Sequence, residues 1–345
     1  MKKLGLSRAS ALTTIGLTLL LASCDVPRST LNPAGPAAEK LANLEWLMIF
    51  IFLCVTFFMW VLIMWAMKRT RRGNFSEHAP IDIGGGQGWV TFGGFLFPFI
   101  VLTFLFVVGL RAMSSFPMGD NEKTEEPKPD ILVIGHQWWW EAHYLQGGVD
   151  QHFTTANEFH IPVGKPVDIA LESTDVIHSF WVPKLHGKVD LVPGQVNYIR
   201  IQADKPGNYG GTCAEYCGAQ HAHMELLVVA QTPEDYQAWY QHQLQPGAEP
   251  TDPEAVHGKE VFLAGPCILC HTVRGTSAGG TVGPDLTHLA SRQYIAANAF
   301  QNNKANLEGW VTHAQTMKPD AEMPNLSFFT GTDLRSLVAY LQQLQ

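Results

Sequence analysis

Two clusters of sulfur and imidazole side chains stand out in this 345-residue chain. The first is C-A-E-Y-C-G-A-Q-H-A-H-M, Cys213 to Met224, which presents two thiols, two imidazoles and a thioether within 12 residues. His178 stands 35 residues before Cys213, in D-V-I-H-S-F-W-V-P. Thiolate and thioether donors joined by imidazole select copper over hard, oxygen-preferring ions. Two cysteines four apart on a loop can set both sulfurs between two metal ions, so that one unpaired electron spreads over the pair. The same loop could instead close a disulfide in an oxidising compartment. It could also join a four-coordinate zinc site, or hold a single blue-copper ion with one cysteine, two histidines and a weak axial ligand. The spaced His221 and Met224 together with His178 favour copper.

The second cluster is C-I-L-C-H, Cys267 to His271. C-x-x-C-H is the attachment motif of c-type haem: two thiols add to the porphyrin vinyl groups while the adjacent imidazole faces the iron. A zinc knuckle would need further ligands, and a redox C-x-x-C belongs to a different strand–helix context. Met323, in A-E-M-P-N, follows His271 by 52 residues and is the expected second axial ligand, its Met-Pro pairing favouring it over Met317. His/Met ligation raises the haem potential, as an electron-accepting entry point requires.

The elements that must hold these clusters follow from pattern. β-type runs begin at Ile131 (I-L-V-I-G-H-Q-W-W-W), Pro166, Gln195 and Met224, bounded by Gly, Pro and Asp, which predicts an all-β sandwich or barrel. T-P-E-D after Gln231 predicts a capped short helix. The stretch from Gln245 to Pro253 reads as a linker, and the remainder as helices with Gly-rich loops, the last over Thr332 to Leu344. Upstream, Leu44 to Met67 and Trp89 to Leu110 are long and apolar enough to cross a bilayer. K-R-T-R-R between them (Lys68 to Arg72) places that loop in the cytoplasm and everything after Leu110 outside it. Lys2, Lys3 and Arg8 precede an apolar stretch ending in L-A-S-C at Cys24, a short export signal resembling a bacterial lipoprotein signal with Cys24 lipidated; ordinary cleavage nearby is the alternative. Of six cysteines, Cys24 ends that signal and Cys54 sits within a span as a small apolar residue.

Charge adds a boundary. The formal net charge of −8 gives no support to nucleic-acid binding. From Gly119 to Gln245 there are 17 acidic and 7 basic residues, against 8 and 6 from Thr251 onward. An acidic middle segment suits either steering of a basic protein partner or a solvated surface.

With these residues in place, the region from Ile131 to Val229 resembles the copper domain of cytochrome c oxidase subunit II, through G-H-Q-W-W-W, H-S-F-W-V-P, V-P-G and the Cys213–Met224 loop. The preceding hairpin extends the resemblance over nearly all of Leu41 to Tyr240, and the segment from Thr251 resembles a class I cytochrome c, including G-P-D-L-T at Gly283 to Thr287. The resemblance implies a multidomain membrane protein: a lipoprotein-type signal over 1–23, a two-helix transmembrane hairpin over 41–112, a cupredoxin-like all-β barrel over 119–245 and an all-α cytochrome c domain over 251–345. It implies a dinuclear CuA centre in which Cys213 and Cys217 bridge the coppers, His178 and His221 each complete one, Met224 is a weak ligand and Glu215 offers its carbonyl. The Glu215 side chain would reach a magnesium ion shared with the catalytic subunit, and Trp138 would lie where the electron enters. One covalent haem c would be held by Cys267, Cys270, His271 and Met323.

The implied role is the electron-entry subunit of a bacterial cytochrome c oxidase, in the cell membrane with both sites on the outer face. Its partners would be catalytic subunit I, subunit III and a cytochrome donor, and oxygen reduction would occur in the partner, since this chain has no intramembrane histidine cluster. A quinol oxidase subunit lacks the copper ligands present here, and a nitrous oxide reductase needs a second, histidine-rich domain. A membrane-tethered copper-delivery or accessory haem protein is the reading from another class, and it leaves C-I-L-C-H unexplained. Two positions depart from the pattern: His223 stands where many members have an apolar residue and is expected to be an exposed bystander, and no acid occurs between Gly84 and Phe97, where many members carry a glutamate.

Overall fold

The computed structural model describes residues 28–70, 86–114, 116 and 128–345. The export signal with Cys24, most of the basic loop and most of the linker from Gly119 lie outside the described residues. The chain forms two compact units, Glu39–Phe116 and the remainder.

The first unit consists of two apolar helices, α1 (Pro36–Thr70, whose first turn precedes it) and α2 (Gln87–Ser114). None of the residues in their most apolar windows is buried by protein, and large side chains such as Phe52, Phe57, Trp60 and Phe106 stand exposed. A helix apolar on every side needs an apolar solvent, so these two helices anchor the chain in a membrane. Within α2 the segment Phe92–Leu96 winds as a π-turn, directly before Pro98. Proline has no N–H and its ring crowds the carbonyl four residues back, so a locally widened turn accommodates it.

In the second unit, two five-stranded sheets face each other. Sheet one has the order β3-β2-β1-β5-β8, from Phe153–Ala156, Trp139–Tyr144, Ile131–His136, Val167–Ser173 and Asn197–Ile201. Sheet two has the order β4-β10-β9-β6-β7, from Glu158–Pro162, Glu225–Gln231, Gly207–Cys213, His178–Trp181 and Val189–Leu191. Strand β1 alternates buried and half-buried residues along its length, as one buried face requires. The core interdigitates Ile131, Val133 and Leu171 of sheet one with Phe159, Phe180 and Leu226 of sheet two. The run from Ile131 to Trp140, read in the sequence as one strand, is a hairpin: β1 pairs antiparallel with β2 in the register His136↔Trp139, so Gln137 and Trp138 form the turn. Helix α3 (Pro233–Gln243) is capped as expected, with the Thr232 hydroxyl accepting from Asp235 N at 3.2 Å.

The C-terminal part is helical, built on α4 (Pro253–Ala264), α5 (Lys304–Met317) and α6 (Gly331–Leu341), with one small pair of strands, β11 (Tyr294–Ile295) and β12 (Phe300–Gln301). Its own core gathers Phe262, Leu307, Val311, Leu337, Val338 and Leu341. Helices α4 and α6 cross where Gly258 meets Ser336 and Tyr340, a contact too close for any side chain at 258.

Candidate copper and haem sites

Sheet two assembles the first site at one end of the sandwich. Strand β6 delivers His178, fully buried, and β9 ends at Cys213, whose neighbour across the ladder is Phe180. The loop from Ala214 to Met224 is closed on both sides: Ala214 N donates to Ser179 O at 2.9 Å and Cys213 N to Met224 O at 2.9 Å. A short 3-10 turn, His221–His223, brings His221 and Met224 back over Cys217. The sulfurs of Cys213 and Cys217 are 3.8 Å apart, well beyond the disulfide bond length of about 2.05 Å, and both cysteines are free.

The remaining donors divide between the two sulfurs. On the Cys213 side lie His178 Nδ1 at 4.0 Å and the Glu215 carbonyl at 3.2 Å. On the Cys217 side lie His221 Nδ1 at 3.6 Å and Met224 Sδ at 3.8 Å. Six donors exceed the four that a structural zinc ion takes, and a shared sulfur pair flanked by one imidazole on each side fits two soft ions better than one. These residues therefore fit a dinuclear copper centre. His223 is exposed and bonds Gln220 Oε1 through Nδ1 at 2.9 Å, apart from the donor set.

The electrostatics agree with a deprotonated sulfur ligand. The hydrogen bond between the two thiols, together with His178, outweighs burial and holds the Cys213 thiol down at about 3, while the Cys217 thiol is pushed up. Burial pulls the His178 imidazole down, but its bonds to Cys213 and Asp175 overcome this and raise it. His178 Nε2 donates to Asp175 Oδ1 at 2.8 Å, which leaves Nδ1 facing the sulfurs. Asp175 also accepts from Gln137 N at 2.7 Å and Val176 N at 2.6 Å. Gly135 gives the His178 ring its room, because a Cβ there would lie 2.7 Å from Cδ2. Sequence reading did not single out Asp175 or Gly135; the signal for Asp175 was its place three residues before a ligand.

Trp138 sits between this site and the next. Its Nε1 donates to Cys217 O at 3.0 Å, beside Gln137 Nε2 on the same oxygen at 2.7 Å. Gly218, at φ +118°, passes under the indole, where a Cβ would meet Trp138 at 2.9 Å. Glu215 holds its carboxylate outward, 3.7 Å from Lys188 Nζ.

Trp138 also lines a cavity of about 390 Å³ in which Cys267, Cys270, His271 and Met323 meet. This size and the apolar lining, with Phe262 and Trp310, suit a flat macrocycle. The 3-10 turn Pro266–Leu269 carries Cys267 and is followed directly by Cys270, and His271 N donates to Cys267 O at 2.9 Å. His271 Nδ1 donates to Pro284 O at 2.8 Å, which fixes the tautomer with Nε2 free for iron. Burial lowers the His271 pKa and keeps the ring neutral, as a ligand must be. Met323 lines the cavity and Met317 does not, and Gln315 Nε2 pins the Met323 carbonyl at 2.8 Å. The donor set and the cavity fit a covalently attached haem.

Comparison with known families covers both sites. Residues 143–231 match the model of the cytochrome c oxidase subunit II periplasmic domain, and residues 255–345 match the cytochrome c model. Cytochrome c oxidase subunit 2 of Alkalihalophilus pseudofirmus is 34% identical over 338 residues, 95% of both chains. The Bacillus subtilis protein of the same name is 26% identical over 345 residues, again 95% of both. Quinol oxidase subunit 2 of Bacillus cereus is 25% identical over 300 residues, 86% of this chain and 97% of its own. The agreement along nearly the whole length, with both ligand sets inside the matched segments, makes this chain a member of the cytochrome c oxidase subunit 2 family, a subunit of an oxidoreductase complex, with a cytochrome c domain at its C-terminal end.

Proposed function

We propose that this chain carries electrons from a cytochrome donor, through covalent haem c and a dinuclear CuA centre, to the catalytic subunit of a cytochrome c oxidase. Bound, the two groups supply one-electron carriers that change little in geometry. The observation that carries this reading is Trp138, which lines the haem-sized cavity and bonds the carbonyl of Cys217 at 3.0 Å. A chain serving a quinol donor would not need this pair of cysteine sulfurs, His178, His221 and Met224 around one point.

In this reading His178, Cys213, Cys217, His221, Met224 and the Glu215 carbonyl hold two coppers per chain, and Cys267, Cys270, His271 and Met323 hold one haem. Asp175 orients His178, and Pro284 orients His271. The half-buried Glu215 carboxylate, beside Lys188, offers a ligand for a magnesium ion shared with subunit I. The domains divide at 1–23, 41–112, 119–245 and 251–345, with Cys24 lipidated and the hairpin crossing the bacterial inner membrane twice. Both sites then face outward, where thiols can add to haem and an external donor has access. Subunits I and III complete the complex. Linking the haem domain to the copper domain by the short stretch from Gln245 raises its effective concentration at the copper site.

Replacing Met323 by alanine tests the order of transfer. Turnover with a cytochrome donor should fall more than turnover with a small reductant that can reach copper directly. Equal turnover with the cytochrome donor in variant and parent contradicts the order.

A further inference from the structure

Lys318 follows α5 and is 4% exposed, and among the described residues no carboxylate forms a salt bridge with it, Glu225 acting on it only from farther off. Its ammonium donates instead to two backbone carbonyls: Trp138 O of the copper-domain hairpin at 3.0 Å and Ala296 O of the haem domain at 3.2 Å. Burial pulls its pKa down to about 8, which leaves it charged at neutral pH. Removing an ammonium from water is costly, and a methionine of similar length would fill the same space without that cost. Some benefit of position must offset it.

The surroundings identify that benefit. Ala296, Ala297 and Asn298 run through the left-handed region at φ 53°, 57° and 64°, unfavourable for alanine. The turn they form delivers Ala296 O to Lys318 and Ala297 O to Glu225 N, the residue after Met224, at 3.2 Å. On the other side of Lys318, Pro319 O accepts from Gln220 of the copper loop at 2.6 Å. Further along, Asn208 Nδ2 bonds Gln293 Oε1 at 2.7 Å and Gln293 N bonds Glu158 at 2.8 Å. Apart from the bond between Ala296 and Lys318, all of these join the haem domain to the copper domain, and Lys318 is the charged haem-domain group that bonds the hairpin turn carrying the indole.

We propose that Lys318 is a positioning residue that clamps the haem domain onto the copper domain across Trp138, so that electrons pass in a standing docked state and not after a search by a tethered domain. This rests on the electron route proposed above. One charge-assisted hydrogen bond, from Lys318 to Trp138 O, crosses between the domains while the bond to Ala296 O holds the ammonium in place, and losing it lowers the docking equilibrium constant roughly tenfold. The docked state also covers the hairpin turn, so an external donor reaches copper through the haem.

The test uses the purified, fully loaded oxidase and Lys318→Met. Haem c is photoreduced by a laser-excited sensitiser and copper reduction is followed optically. Amide exchange of peptides containing Glu225 and Gln293 is read by mass spectrometry on the same samples. The clamp predicts that Lys318→Met slows haem-to-copper transfer, by up to roughly tenfold as the docking constant falls by that factor. It also predicts faster exchange at both peptides, with the haem and copper spectra intact. Unchanged transfer and unchanged exchange in the variant overturn the clamp while leaving the route standing. A parent enzyme whose reduced haem never reduces copper overturns the route, and the clamp with it. Should the variant fail to take up haem, the parent decides alone: exchange at Glu225 and Gln293 as fast as at unbonded surface amides overturns the docked state, and protection supports it.

Discussion

Removing the Asp175 carboxylate should loosen copper without disturbing the ligands themselves. His178 is fully buried, and its Nε2 donates to Asp175 Oδ1 at 2.8 Å. In Asp175→Ala that donor loses its acceptor, and the buried imidazole is free to take the tautomer that presents a hydrogen to the metal. An orphaned buried donor costs about 1–3 kcal/mol. Outer-shell partners of metal ligands, when removed, lower affinity roughly tenfold to a hundredfold, which is about 1.4–2.7 kcal/mol, and the two figures agree. Gln137 N and Val176 N also lose an acceptor, but Asp175 lies near the surface and water can replace it there. Most of the loss should therefore fall on copper and little on the fold. The assay is a competition titration of the intact oxidase with a copper chelator, read by the paramagnetic signal of the copper centre. Asp175→Asn, which keeps an uncharged acceptor, should lie between the parent and alanine. Copper affinity in Asp175→Ala within about twofold of the parent would refute the idea that this bond sets the ligand tautomer.

Two further outcomes follow from other sites. Burial raises the Glu141 pKa, but hydrogen bonds from His136 at 2.8 Å and His143 at 3.0 Å overcome it and hold the carboxyl at about 2 against an ordinary 4.5. A depressed folded-state pKa contributes stability above 4.5 that is lost as pH falls toward 2. Thermal midpoints of parent and Glu141→Gln should thus converge over that window; a gap constant with pH would contradict it. Gly283→Ala would place a Cβ 2.7 Å from His271 Cε1 and 3.0 Å from Nδ1, pressing the ring away from Pro284 O. Overpacking of this kind costs about 1–3 kcal/mol, seen as a lower denaturant midpoint at the haem absorbance band, and an unchanged midpoint would contradict it.

Much of the site was legible because its donors are close in sequence. Five of the six proposed copper donors and the C-x-x-C-H unit each fall within one loop, so closeness in sequence brought them together. His178 was found through its own motif, and the structure places it on β6, the strand paired with β9. The two membrane helices were legible from length and hydropathy, and α3 from its cap. The hairpin turn at Gln137 and Trp138 was hidden because three tryptophans in a row continue a β-like pattern across it. Strands β3, β4, β6 and β7 were missed because they are short, at 3 to 5 residues, and β9 because Gly207–Cys213 holds three glycines, one of which packs against Leu226 where a side chain would collide. Lys318 carried no local signal, since its partner Trp138 lies 180 residues away. Contacts of that kind depend on how two domains meet, which periodicity and local chemistry do not encode.

The central claim is that one chain carries a shared-spin copper pair and a covalent haem. Metal and haem analysis of the intact, detergent-solubilised chain, made without its partners and oxidised for electron paramagnetic resonance, tests it most directly. The account predicts two coppers and one covalent haem per chain, with hyperfine structure from one electron shared equally by two copper nuclei. A single copper, or zinc without a shared-spin signal, would contradict it.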